Sequence, residues 1–80
     1  MDYSTMSLAG IAREVYKDWG AKVNFAAKPY LEAMATLQSV DEDYYAESGK
    51  SIVAYFLCNA TSWRGEVARE VKKELKKRIK

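Results

Sequence analysis

Two stretches of this chain hold most of the side chains with chemistry to offer. One is the acidic "SVDEDYYAESGKS", residues 39–51, and the other the basic "TSWRGEVAREVKKELKKRIK", residues 61–80. The first places Asp41, Glu42, Asp43 and Glu47 around Tyr44 and Tyr45. Four carboxylates this close suggest a divalent-cation loop, but the calcium-loop pattern with its glycine at the sixth position is missing. A solvated acidic segment is the expected reading. Gly49-Lys50-Ser51 matches the end of a phosphate-binding loop. That loop needs another glycine five residues earlier, where Tyr44 stands, and a strand leading in, so the match is discarded. Cys58 is the single cysteine, and no histidine exists to act as its base, so a buried structural thiol is expected in place of a nucleophile. No pair of titratable groups has the company that acid–base or nucleophilic catalysis needs. The chain reads as non-enzymatic, with no cofactor and no metal site.

Charge separates the two ends. Residues 64–80 hold eight bases and three acids, a net +5, whereas residues 1–63 hold five bases and eight acids, a net −3. Arg69, Lys72, Lys73, Lys76 and Lys77, with Lys80, are candidate phosphate contacts for salt-dependent, sequence-independent binding. Against this, Glu66, Glu70 and Glu74 stand one turn from Arg69, Lys73, Lys77 and Arg78, where helix-stabilising pairs are worth ~0.2–0.5 kcal/mol each. Cations also suit the C-terminal end of a helix dipole. An ordinary solvated helix face is therefore the first reading, a protein-facing patch the second, and nucleic acid or lipid the third. The interleaved acids and narrow apolar stripe argue against a membrane-surface helix. Asp41–Asp43 and Glu47 could also face the basic helix, within one chain or from a second copy. Tyr44 and Tyr45 are candidate contacts of another kind, because tyrosine offers rigid amphipathic area at interfaces. Arg64, between Trp63 and Gly65, can stack on a ring or reach a carboxylate, and Gly65 can let another backbone or ring approach closely.

These residues need elements to position them, and the apolar spacing supplies four helices. In residues 7–19, Leu8, Ile11, Ala12, Val15 and Trp19 form one stripe, with Ser7 as N-cap and Gly20 as the stop. Val23 and Phe25 are expected to plug the core from the following loop. Pro29 suits the first turn of a helix over 29–39 that buries Tyr30, Leu31, Met34, Ala35 and Leu37. The third helix is placed at 47–59. Its apolar run, Ile52 to Cys58, lacks alternation, so a buried strand competes by periodicity alone. Helical neighbours and the lack of a second strand favour helix. The fourth runs over 62–79 on Trp63, Val67, Val71, Leu75 and Ile79. The fold class is a single all-α, four-helix domain spanning residues 1–80.

Eighty residues make a core that stabilises only marginally, so a staple is often needed. One cysteine excludes an internal disulfide, and without histidine most zinc patterns fail. A homodimer is the staple that remains. No signal peptide is evident, and the seven-residue apolar run is far short of the ~20 that cross a membrane.

Taken together, "REVYKDW", "KPYLEAMATL" and "YYAESGKSIVAYFLCNATSWRGEVAREVKKELK" resemble a group of small uncharacterised proteins encoded by bacteriophages and prophages. The shared pattern is Pro-Tyr-Leu-x-Ala-Met, then Tyr-Phe-Leu-x-Asn-Ala, then Trp-Arg-Gly, over residues 11–78. It carries no activity or binding residue to transfer. The resemblance implies a setting, the cytoplasm of a bacterial host. It also implies a mode of action, occupation of a host or phage protein surface, including those of defence factors. Protein binding is thus the leading expectation, through Tyr44, Tyr45, Asp41 and Asp43 or through the basic residues from Arg64 onward. Nucleic-acid binding by the C-terminal helix is the alternative.

Overall fold

The chain opens with a tight turn, Tyr3–Thr5, that Asp2 caps by accepting from the Ser4 amide at 3.0 Å. The structure is a computed structural model that describes residues 2–80. Four α-helices follow: α1 (Leu8–Trp19), α2 (Lys28–Met34), α3 (Gly49–Cys58) and α4 (Glu66–Arg78). Between α2 and α3 lies a short antiparallel hairpin of β1 (Asp43–Tyr44) and β2 (Glu47–Ser48), with Asp43 opposite Ser48 and Tyr44 opposite Glu47. The fold is mostly helical, and the hairpin corrects the all-α expectation.

Helix α1 forms as its spacing predicts. The Ser7 hydroxyl accepts from the Gly10 amide at 3.0 Å, and Gly20, at φ +60°, closes the C-terminus. Two further amides of the first turn find partners outside the helix. Leu8 donates to the Gln38 carbonyl at 3.0 Å and Ala9 to Leu37 at 2.9 Å. These bonds satisfy N–H groups that a helix cannot satisfy itself. They also explain why α2 stops at Met34, short of residue 39. The chain turns through Thr36, whose hydroxyl donates to Ala33 at 2.8 Å, and presents its carbonyls to α1.

The loop before α2 reverses one expectation. Phe25 does not plug the core; it is 92% exposed, and Ala27 takes the buried place. Asn24 organises the loop, its side chain accepting from Ala26 at 2.9 Å and its carbonyl from Ala27 and Lys28. Val23 is half-buried against the core as expected.

The acidic stretch is not the start of α3. Ser48 caps that helix from its own side chain, accepting from the Ser51 amide at 3.1 Å. The apolar run is helical: Ile52, Val53 and Phe56 are buried, while Tyr55 and Cys58 face out. Cys58 is therefore an exposed thiol and not the buried one expected, because it stands on the solvent side of the last turn. Helix α4 starts later than position 62. The chain turns at Thr61–Ser62, and Gly65 at φ +110° leads into the helix. No atom lies within 4 Å of where a Gly65 side chain would begin, so this glycine supplies a conformation and not a close approach.

One buried cluster draws on all four helices. Within it Trp19 and Trp63 stack with centroids 5.6 Å apart and planes 14° from parallel. Phe56 meets both edge-on at 6.4 Å. Arg78 fastens the N-terminal turn across α4, bonding Glu74 at 2.6 Å and the Tyr3 carbonyl at 2.8 Å, with both charged side chains mostly buried. Arg78→Met is expected to destabilise the chain by ~1.5–3 kcal/mol, the usual worth of hydrogen bonds to charged groups. Hydrogen exchange should then rise first in residues 3–10, and an unchanged profile there would contradict this role.

Candidate functional site

The candidate contact residues fall into two groups that the fold keeps apart. The hairpin packs on α3, whereas α4 packs on α1, α3 and the Tyr3–Thr5 turn. The ion pairs among the described residues are Glu14–Lys17 and Glu74–Arg78, each within one helix. The acidic segment thus makes no ion pair with the basic helix of its own chain. Of the helix-four pairs expected from Glu66, Glu70 and Glu74, Glu74–Arg78 forms; Glu66 and Glu70 stay solvent-exposed.

The hairpin is built from its base upward. The Gly49 amide donates to the Glu42 carbonyl at 2.7 Å, and a side chain at Gly49 would meet that oxygen at 2.8 Å and the Val40 carbonyl oxygen at 2.7 Å. Glu42 closes the base from the other side, its carboxylate accepting from the Gln38 amide at 2.9 Å. Ser39 accepts from the Asp41 amide at 2.9 Å. This bonded base carries a two-residue turn, Tyr45-Ala46. Tyr45 sits there at φ +55°, a left-handed conformation unusual for a bulky residue. Its ring is 90% exposed and meets Tyr44 edge-on at 4.8 Å. Tyr44 is half-buried and leans on the core, so the two tyrosines divide their work: one anchors the hairpin and the other is displayed. Asp41, Asp43 and Glu47, which flank them along the chain, are exposed.

On α4 the candidates also divide. Arg64, Arg69, Lys73, Lys76 and Lys77 are exposed, but Lys72 is not free. Its ammonium donates to the Trp63 carbonyl at 2.6 Å and lies 5.9 Å from the centroid of the Trp63 ring. Burial pushes its pKa below the ordinary lysine value, and the positive charges of Lys76 and Arg64 push the same way. Lys72 therefore belongs to the clamp on Trp63. The opposite side of that clamp is Asp18, which accepts from the Trp63 indole N–H at 2.8 Å. Beside it an open cleft of about 450 Å³ is lined by Asp18, Trp19, Lys22, Ser62, Trp63 and Arg64. Its one carboxylate is already bonded to the indole, so the cleft holds no unengaged carboxylate.

Among the described residues no three Asp, Glu or Cys side chains converge as metal ligands, and no helix is long and apolar enough to cross a membrane. Compared with known proteins, the chain matches no family model, no curated protein and no solved structure.

The sequence marks Tyr45 as a candidate contact but gives no sign of the hairpin that displays it. Tyr-Ala is not among the Asn-Gly or Asp-Gly pairs that announce a tight hairpin, and its flanking strands are two residues each. The acids of residues 41–47, read as a solvated segment, gave the location without the shape.

Proposed function

We propose that the chain is a non-catalytic protein-interaction module whose contact point is the Tyr45 hairpin. The observation that carries this reading is a large aromatic ring held 90% exposed in a left-handed backbone conformation. Such a conformation costs on the order of 1–3 kcal/mol in a bulky residue, and strained, displayed residues cluster at functional positions. The hairpin's bonded base leaves little to be ordered on binding, which raises affinity for a given contact area. Exposed Asp41, Asp43 and Glu47 flank Tyr45 along the chain, so the partner surface it fits is a ring-sized apolar pocket rimmed by Lys or Arg. The phage resemblance makes that partner a host or phage protein in the bacterial cytoplasm, bound so as to modulate or block it.

The test is a photo-crosslinking residue, p-benzoylphenylalanine, at position 45 in cells of a bacterial host. A discrete crosslinked product with a second protein is expected, and the same probe at exposed position 25 should not give it. Crosslinks only to a second copy of this chain, or the same products from both positions, would sink the reading.

A further inference from the structure

Helix α4 buries Ala68, Val71 and Leu75, which leaves its opposite side to water. Projected at about 100° per residue, Arg69, Lys73 and Lys76 fall within a sector of about 60°. Glu66, Glu70 and Glu74 fall on the neighbouring flank. There Glu66 and Glu70 line one hollow with Tyr3 and Val67, and Glu70 and Glu74 line another with Asp2, Tyr3, Ser4, Lys73 and Lys77. Lys73 and Lys77 therefore border these acids on one side and Lys76 and Lys80 on the other. Towards the C-terminus Lys73, Lys76, Lys77 and Lys80 together line one shallow hollow of about 410 Å³, and no carboxylate lines it. All four lysines are exposed, and none donates a hydrogen bond to another described group.

We propose that this lysine-lined end of α4, extended by Arg69, binds the phosphate backbone of a nucleic-acid duplex without reading its sequence. This surface is independent of the Tyr45 hairpin. Four like charges lining one hollow are most relieved by a ligand of dense opposite charge. A duplex carries one phosphate charge per ~1.7 Å of axis. From Arg69 to Lys80 the helix covers about 16 Å, a length over which a duplex offers roughly nine phosphates. Lysine ammonium groups act as point charges and do not need the paired oxygens that an arginine fork selects. The hollow holds no aromatic ring to stack on a base, which fits backbone contact and not base readout. An anionic membrane is the poorer fit. Surface-bound amphipathic helices sink an apolar face into the lipid, and the apolar face of α4 is already committed to the core.

The test uses the full chain and a fluorescein-labelled 20-base-pair DNA duplex, with binding followed by anisotropy from 20 to 200 mM NaCl. Four to five neutralised phosphates predict a slope of log K against log salt between about −3.6 and −4.5, equal for two unrelated sequences. Lys73→Glu/Lys76→Glu/Lys80→Glu should weaken binding at least about 30-fold at 20 mM NaCl, and the matching glutamine triple by a smaller factor. Lys22→Glu/Lys28→Glu/Lys50→Glu makes the same charge change elsewhere and should stay within about threefold of wild type. No binding at 20 mM NaCl, equal losses in the two glutamate triples, or tighter binding to vesicles of 30% phosphatidylserine than to the duplex would each overturn the proposal.

Discussion

Trp63→Ala should lower the melting temperature by at least about 12 °C and leave much of the chain unfolded at 37 °C. Truncating a buried tryptophan costs ~3–5 kcal/mol, and each kcal/mol moves the midpoint of a domain this size by about 4–8 °C. Small domains hold only ~5–15 kcal/mol in total. Trp63 is 2% exposed, and three separate contacts depend on it: the stack on Trp19, the edge contact with Phe56 and the bond to Asp18. Its removal also takes away the ring beneath Lys72 and leaves Asp18 without its donor. Trp63→Phe isolates part of this. It keeps most of the ring area but loses the N–H, and should cost ~1.5–3 kcal/mol for a hydrogen bond to a charged group. Thermal unfolding followed by circular dichroism measures both. A Trp63→Ala protein melting within 4 °C of wild type would mean that these contacts do not hold the core together.

Gly49→Ala is expected to destabilise by a different route. Gly49 has ordinary helical geometry, so the substitution is disfavoured by space and not by backbone angle. The new methyl group would sit 2.7–2.9 Å from the Val40 and Glu42 backbones, which cannot move aside as a side-chain tip can. Overpacking of this kind costs ~1–3 kcal/mol. Relief requires lengthening the 2.7 Å bond from Gly49 to Glu42, which is the base of the hairpin. Hydrogen exchange should therefore rise in residues 40–49 while α1 and α4 keep their protection. Partner binding should fall even though Tyr45 itself is untouched. A variant with wild-type stability and exchange would show that the hairpin base is not closed as described.

The parts of the fold legible in the sequence were those with a period or a cap. Leu8, Ile11, Val15 and Trp19 declare one face of a helix, and Ser7 and Gly20 bound it. Pro29 marks the first turn of α2 and Val71 and Leu75 the buried side of α4. What was not legible depended on partners distant in sequence. Helix α2 ends early because Leu37 and Gln38 cap α1, a bond no local window contains. Phe25 looks like core by type, but the Asn24 turn aims it at water while Ala27 fills the space. Cys58 is apolar by neighbourhood and exposed by position on the helix. At the candidate sites the sequence names residue types but not their arrangement. The acids of α4 look evenly interleaved in one dimension, whereas in three they share one flank with Lys77 and border Lys73. Lys72 is indistinguishable from Lys73 in the sequence, yet the Trp63 carbonyl takes it out of the free set.

Tyr45 is proposed as the contact residue of a protein-binding hairpin. The most direct test of that role is quantitative capture from a bacterial host lysate with three baits side by side: wild type, Tyr45→Ala, and Lys73→Glu/Lys76→Glu/Lys80→Glu. Tyr45 touches little of the core, so the alanine variant should keep the wild-type melting temperature. Truncating an aromatic anchor at an interface costs ~2 kcal/mol or more, about a 30-fold loss of affinity. At least one protein retained by wild type and by the lysine variant should therefore disappear from the Tyr45→Ala bait. Its affinity for the purified chain should fall by that factor. Identical protein profiles from the wild-type and Tyr45→Ala baits would contradict the account.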